Sequence, residues 1–180
     1  MTITAHCHPA FGRVRLERIG GLAMEERIRA FVDTEYGKVV SAVRAATGRS
    51  DGAEDAVQEA LVKVLRDGHH PDNLAAWVTV VATNEVRRVQ RRQLTERRVS
   101  PRTSQPADGG LEGVAVATDV RKAIADLPDR QREIVMLFCY LDASVADIAA
   151  SMGISGGTVK TQLHRARATL GEALGLEARP

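Results

Sequence analysis

Apolar residues recur every three or four positions along most of the chain, the spacing that places them on one face of an α-helix. In the first half this pattern predicts helices over about 24–46, over about 53–66, and from about 74 into an arginine-rich segment. Nowhere does the sequence alternate convincingly between apolar and polar residues, as a half-buried strand would. The pattern therefore predicts an all-α protein.

Further helix starts are predicted at Pro128, Ser144 and Ser155. Before them, residues 99–113 contain two prolines, three glycines and two serines, a composition typical of a flexible linker. We therefore expect two small helical domains, one on each side of this linker.

The first domain is expected to span 24–98 and the second 114–176. Residues 1–23 lie outside the helical pattern and are expected to form a disordered N-terminal extension, while 177–180 form a short tail. Met24 directly precedes the first predicted helix, so an alternative translation start at that position remains open.

Residues 144–170 are typical of a helix-turn-helix. Ser144 and Ser155 are good N-cap residues, and Gly153 ends the first helix. An apolar stripe on the second helix is predicted from Val159, Leu163, Ala166 and Leu170. The opposite face carries groups that can bind bases or phosphates, namely Lys160, Thr161, His164 and Arg165. Since no acidic residue occurs from 154 to 171, DNA binding is favoured over an ordinary hairpin with a solvated basic face.

The third predicted helix carries a basic stripe formed by Arg87, Arg88, Arg91 and Arg92. No comparable acidic run lies beside it in the sequence to neutralise it. Such a run is often only a solvated surface, but beside a DNA-reading domain it favours contact with phosphates.

The second predicted helix is acidic on one face. Its buried stripe is predicted to be Ala53, Val57, Ala60, Leu61 and Val64. The opposite face carries Asp51, Asp55, Gln58, Glu59 and Val62. An acidic surface around an exposed valine repels DNA, so it indicates a protein partner, with a solvated helix face as the alternative.

The composition, the cysteine content and the length of the apolar runs indicate where in the cell the protein is located. The chain is 44% hydrophobic, 27% charged and 3% aromatic, with a formal charge of +2, which is typical of a globular protein. Cys7 and Cys139 stand far apart, so no disulfide framework is predicted; Cys139 lies in an apolar run and is expected to be buried. The N-terminus lacks a signal-peptide core and the apolar runs are too short to cross a bilayer, so we expect a cytoplasmic protein without membrane insertion.

The sequence gives little support to catalysis. It contains no recognisable pair of carboxylates, nucleophile with a base, or phosphate-binding glycine loop, so we predict neither an enzyme nor a cofactor. His6 and His8 flank Cys7, but adjacent residues cannot all face one ion without a supporting fold, so no metal site is predicted. A nuclease that uses the arginine helix is an alternative that hydrolysis with a divalent metal would reveal.

Three motifs together resemble the extracytoplasmic-function (ECF) sigma factors of bacterial RNA polymerase. They are AEDAVQEALVKVL, AAWVTVVATNEVRRVQRR and the segment from LPDRQREIVMLFCYL through the helix-turn-helix, in the family's order and spacing over about 25–176. The resemblance implies the minimal form, with sigma regions 2 and 4 and a promoter-directing function. The rival interpretation, a helix-turn-helix regulator that acts without polymerase, leaves the acidic helix face unexplained.

The resemblance also implies roles for particular residues. The face that docks on the β′ clamp helices of core RNA polymerase would comprise Asp55, Gln58, Glu59 and Val62. The −10 element would be bound by the loop and helix residues His69, His70, Asp72, Asn73 and Asn84, with the backbone held by Arg87, Arg88, Arg91 and Arg92. The −35 element would be bound by Lys160, Thr161, His164 and Arg165.

The partners implied are core RNA polymerase, through its β′ and β subunits, promoter DNA, and an anti-sigma protein, since the family often works with one. The loop sequence HHP at 69–71 differs from the usual aromatic and glycine-rich residues, which leaves the −10 preference open. Trp77 could be a melting aromatic, but its helical spacing with Val78 and Val81 favours a place in the core.

Overall fold

The computed structural model describes residues 24–68, 70–97 and 118–175, and these residues form helices and turns with no strand among them. The first part is a bundle of four helices: α1 (Met24–Thr34), α2 (Tyr36–Thr47), α3 (Ala53–Asp67) and α4 (Leu74–Arg97). We call it the N-terminal bundle. No helix in the described part of the chain is both long and apolar enough to cross a membrane.

The second part, the C-terminal bundle, also contains four helices. They are α5 (Thr118–Ala125), α6 (Asp129–Val135), α7 (Val145–Met152) and α8 (Gly156–Ala173), and a π-helical turn (Met136–Tyr140) continues α6. The expected all-α fold is confirmed. The predicted linker, the N-terminal extension and the tail lie outside the described residues, as do Cys7 and the two histidines beside it.

Local sequence chemistry sets the ends of the helix-turn-helix. The Ser144 hydroxyl accepts a hydrogen bond from the Asp147 amide, and the Asp147 carboxylate accepts one from the Ser144 amide, which is a complete capping box. Gly153 ends α7 with a φ of 62°, a left-handed conformation that glycine adopts without a steric cost. Ser155 then caps α8 by accepting from the Thr158 amide. All three predicted boundaries are confirmed.

The predicted helix over 24–46 is instead two helices that meet at Glu35. The interruption is slight, because the Glu35 amide still donates to the Phe31 carbonyl and the Glu35 carbonyl still accepts from the Val39 amide. Helical hydrogen bonding thus continues through the bend. The helical spacing of apolar residues also continues without a break, so the sequence does not reveal the bend.

The core of the N-terminal bundle is built mainly from alanine, valine and leucine, together with Phe31 of α1. The predicted stripe of α3 is buried in full, and it packs against Val39 and Val43 of α2 and Val78 of α4. Trp77 lies half-buried against this same cluster, which is the core position that its spacing favours.

The two bundles also pack against each other, which the sequence did not predict. Ala42, Ala45 and Ala46 of α2 share one apolar cluster with Ile124 and Met136 of the C-terminal bundle. A second cluster joins Ala76 and Val80 of α4 to five buried residues of the other bundle, namely Ile134, Leu137, Ala143, Ile148 and Val159. We call these two clusters the seam.

The expectation that Cys139 is a buried thiol is wrong, because the structure places it on the surface. Met136 and Leu137, just before it, occupy the inward face of the π-helical turn, so Phe138 and Cys139 follow on the outward face. The core covers only one face of a helix. The apolar run in the sequence continues past that face, so its later residues, including Cys139, lie on the surface.

Candidate nucleic-acid and protein interfaces

The acidic face of α3 lies on the surface. Asp55, Gln58 and Glu59 are exposed, and the Val62 side chain is 58% exposed, as the helical phase predicts. Leu65 follows one turn later and is 50% exposed. The sequence analysis did not single out Leu65, although its spacing of three from Val62 placed it on the same face.

A cleft of about 370 Å³ separates this face from α4. Asp55 and Glu59 line one side, and Glu85 and Val89 of α4 line the other. Val89 is 40% exposed, and four of the five charged residues that line the cleft are acidic. We call the exposed apolar residues Val62, Leu65 and Val89 the apolar strip. Neither α4 residue was predicted to belong to this surface, because the contribution of a neighbouring helix appears only in the fold.

The loop before α4 is held at the end that leads into this helix. The Asn73 side chain accepts a hydrogen bond from the Ala76 amide at 2.9 Å and so caps α4. Arg27 of α1 donates to the Pro71 and Asp72 carbonyls at 2.7 Å and 3.4 Å, a restraint that the sequence did not indicate. His70 and Asp72 are exposed, while His69 lies outside the described residues.

The Asn73 amide nitrogen also lies 3.3 Å from the Asp147 carboxylate at the start of α7. The C-terminal bundle thus contacts the loop at Asn73. Asn84, farther along α4, is exposed.

The predicted basic stripe of α4 is divided by its surroundings. Arg91 and Arg92 are exposed. Arg88 is also exposed but forms two hydrogen bonds with Glu85, at 2.7 Å and 2.9 Å, which lower the pKa of the Glu85 carboxyl. Arg87 alone points into the contact between the bundles.

The Arg87 guanidinium is largely enclosed, with 15% of the side chain exposed. It donates to the Glu133 carboxylate at 2.6 Å, to the Asp129 carbonyl at 3.0 Å, and to the Ala46 carbonyl at 3.3 Å. Glu133 is fully buried, and this burial raises the pKa of its carboxyl, an effect that Arg87 and Arg130 offset only in part. One of the four positive charges of the stripe, that of Arg87, is therefore paired with a carboxylate of the same chain.

The basic face of α8 is open to solvent. Val159 and Ala166 are fully buried on the inner side of the helix. All four predicted DNA-facing side chains are exposed on the other side: Lys160, Thr161, His164 and Arg165. Because α8 starts from a capped turn and follows α7 directly, this geometry matches a recognition helix that can enter a major groove.

Within the described residues no group of three or more histidine, cysteine or acidic side chains could hold a metal ion. The described residues present two contrasting surfaces. One is acidic with an apolar strip, and the other is basic and rich in hydrogen-bond donors.

Two family models match the chain. Residues 31–95 match the model described as sigma-70 region 2, and residues 117–170 match the model described as sigma-70, region 4. The first range contains the acidic cleft, the loop and the arginine stripe. The second contains the helix-turn-helix.

Curated relatives agree with these matches. The ECF RNA polymerase sigma factor SigL of Mycobacterium tuberculosis (strain ATCC 25618 / H37Rv) is 32% identical over 166 residues, covering 84% of this chain and 92% of that protein. The ECF RNA polymerase sigma factor EcfG of Rhodopseudomonas palustris (strain TIE-1) is 32% identical over 134 residues, covering 71% of this chain and 74% of that protein.

Solved structures share the fold. The sigma factor RpoE from Bartonella quintana, in complex with the anti-sigma factor NepR, superposes with a TM-score of 0.67 at 25% identity and covers 85% of this chain and 99% of that chain. CnrH, in complex with the cytosolic domain of CnrY, gives a TM-score of 0.55 at 19% identity, which indicates a common fold alone.

Proposed function

The chain belongs to the family of extracytoplasmic-function sigma factors, which direct RNA polymerase to promoters, and from this membership we propose how its surfaces share that task. Sigma factors are non-enzymatic initiation factors, so each surface is assigned a binding role. We assign region 2 to 24–98, the linker to 99–113 and region 4 to 114–176.

The acidic face of α3 is the proposed contact with core polymerase, through the β′ clamp helices. Asp55, Gln58 and Glu59 supply charge and hydrogen bonds, and Val62 supplies apolar contact. The cleft extends this surface to Val89 of α4, and Leu65 lengthens its apolar strip. An exposed apolar strip within an acidic rim suits a protein partner and repels DNA.

The −10 element is the proposed partner of the loop before α4 and of the arginine stripe. His69, His70, Asp72 and Asn73 would choose the base, because a loop that houses an extruded base discriminates by shape and by hydrogen bonds to the base edges. Asn84 would contact the same element, and the arginine stripe would hold the DNA backbone. The −35 element is the proposed partner of the exposed face of α8.

One observation carries this proposal: the acidic cleft of α3 and the basic face of α8 are both exposed on the same chain. A regulator that binds only DNA has a use for the basic face and none for the cleft. Core polymerase and promoter DNA are both in the bacterial cytoplasm, so we place the chain there. An anti-sigma protein is a further proposed partner, since RpoE of Bartonella quintana was solved with one.

Co-purification with core polymerase, followed by transcription from a library of genomic fragments, tests the proposal. We expect the full chain to remain with core polymerase and to start transcription from a limited set of fragments. A chain that shifts duplex DNA by itself and fails to remain with core polymerase would instead be a conventional helix-turn-helix regulator.

A further inference from the structure

We propose that Arg27 of α1 is a positioning residue for −10 recognition. It fixes the backbone of the loop before α4 and so sets how His70 and Asp72 are presented to a base. This inference rests on the proposed function, since it deepens the assignment of that loop to the −10 element. Arg27 lies ahead of the range 31–95 that matches the sigma-70 region 2 model, so the family match gives it no role.

Arg27 contacts the backbone of the loop. Its Nη2 donates to the Pro71 carbonyl at 2.7 Å, and the Asp72 carbonyl lies 3.4 Å from the same nitrogen. These two residues are 44 and 45 positions farther along the chain. A hydrogen bond from a charged guanidinium is stronger than one between two neutral groups, so this contact can hold a short loop.

The contact restrains the backbone angle of Pro71 that its ring leaves free. The pyrrolidine ring fixes φ at Pro71, and it favours an extended backbone at His70 before it. Rotation about ψ at Pro71 turns its carbonyl together with the peptide plane that leads into Asp72. Because Arg27 holds that carbonyl, it also fixes the direction in which the Asp72 side chain leaves the backbone.

The next residue of the loop is fixed as well. Asn73 accepts a hydrogen bond from the Ala76 amide at 2.9 Å and so ties the loop to the first turn of α4. The backbone is therefore held at three successive residues, 71–73. The side chains of His70 and Asp72 remain exposed and can meet a ligand.

α1 holds Arg27 firmly in place. Arg27 stands four residues before Phe31, so the two side chains share a face of the helix. Phe31 is buried in the core of the N-terminal bundle, and Ile28 packs against the same core. The Arg27 side chain is half-buried between this packed face and the loop, so it acts on a base through the loop.

A loop that is already ordered should discriminate better between bases. An extruded base is recognised by the shape of its pocket and by hydrogen bonds to its edges, and both depend on where the loop side chains point. A pocket ordered in advance also spends less of the binding free energy on its own ordering. Loss of Arg27 should therefore reduce −10 preference and leave core polymerase binding, which we assign to α3, unchanged.

Transcription from a library with a randomised −10 element tests the proposal, with holoenzyme reconstituted from core polymerase and each full-length variant. Arg27→Ala should lower the preference for the best base at the position read by the loop by about tenfold, roughly the value of one charge-assisted hydrogen bond. Retention on core polymerase and −35 preference should not change. Arg27→Lys keeps the charge and one donor, so it should recover part of the preference.

Arg29→Ala is the matched control, because it removes the same charge from an exposed position on the same helix. It should keep the wild-type −10 preference. Equal preference in Arg27→Ala and Arg29→Ala would overturn the proposal. A fall by one factor on every −10 sequence, together with a weaker salt dependence, would also overturn it, since that pattern marks a direct contact with phosphate.

Nuclear magnetic resonance of the free protein measures the restraint itself. The backbone order parameters of the His70 and Asp72 amides should be about 0.85 in the wild-type protein and below about 0.6 in Arg27→Ala. Circular dichroism and a thermal melt show that the variant is folded. Unchanged order parameters would overturn the positioning role. An ordered wild-type loop in a chain that core polymerase does not retain would support the restraint and refute the proposed function, so the two failures are distinguishable.

Discussion

At the scale of single residues, the four arginines of the α4 stripe differ in what surrounds each side chain. Arg87 is enclosed by groups of α2 and α6, and Arg88 is paired with a glutamate one turn earlier on its own helix. Arg91 and Arg92 face solvent. Spacing along the helix reveals that the four share a stripe, but whether a counter-charge approaches from another helix depends on contacts distant in sequence.

Arg91→Ala should weaken binding of the polymerase holoenzyme to all promoters by a similar factor. A contact to phosphate carries no sequence information, and its loss should reduce the slope of log affinity against log salt by about 0.9. Arg88→Ala should have a smaller effect, because Glu85 competes for that guanidinium. Binding isotherms on several promoters at a series of salt concentrations check this. An effect confined to certain promoters would instead assign Arg91 to base recognition.

Glu133 gives the stability of the fold a definite dependence on pH. Burial raises the pKa of this carboxyl above its ordinary value of 4.5, which means that the folded chain favours the protonated form more than the unfolded chain does. The folded chain therefore carries no ionisation penalty from Glu133 well below pH 4.5. That penalty grows as the pH rises through the folded pKa.

Comparison with Glu133→Gln isolates this effect, since glutamine does not titrate. From about pH 4 towards neutrality, the free energy of unfolding of the wild-type protein should fall relative to that of the variant. Denaturant unfolding of both proteins across that range measures the difference. A relative gain by the wild-type protein would mean that attraction to Arg87 and Arg130 outweighs the cost of burial.

At the scale of helices, local chemistry made the boundaries of the helix-turn-helix predictable. A serine cap, a glycine stop and a second serine cap each act within a few residues, so the sequence contains all the information that they use. α5 is a short helix of eight residues, and its start was not predicted.

The seam was not predictable for a different reason. An alanine face such as that of Ala42, Ala45 and Ala46 is compatible with burial or with exposure, and only the neighbouring bundle decides. A charged residue near a helix start is ordinarily expected on the surface. Nothing in the sequence therefore indicated that Glu133 is completely buried. The acidic face of α3 was predictable, whereas Glu85 and Val89 across the cleft required the fold.

The recognition helix α8 should determine −35 preference without affecting polymerase binding. Lys160→Ala or Arg165→Ala should each cost about 1–3 kcal/mol and relax the preference at one base position, because both side chains project away from the buried stripe. Transcription from a library with a randomised −35 element measures the preference. Unchanged selectivity in both variants would remove these residues from the −35 contact.

At the scale of the whole molecule, the surfaces that we propose for core polymerase and for the −35 element lie on different bundles. The acidic cleft belongs to α3 and α4, while the basic face belongs to α8 in the other bundle. A sigma factor must use both surfaces together to start transcription. Loss of the cleft alone should therefore abolish transcription while the DNA-binding face of the chain stays intact.

The measurement that tests this central claim most directly is co-purification with core polymerase after reversal of the cleft charges. Asp55→Arg combined with Glu59→Arg replaces two exposed carboxylates and leaves the buried stripe of α3 untouched. The loss of charge pairs that are partly desolvated at an interface costs about 2–5 kcal/mol each. We therefore expect core binding to be lost, with little change in helicity or melting temperature.

The matched control reverses two exposed carboxylates of α1 outside the cleft, as Glu26→Arg with Asp33→Arg, so that the net charge changes equally. The control should be recovered with core polymerase at the wild-type level, and the cleft variant should be absent from the complex. Recovery of a folded cleft variant equal to that of the control would contradict the assignment of this surface to polymerase.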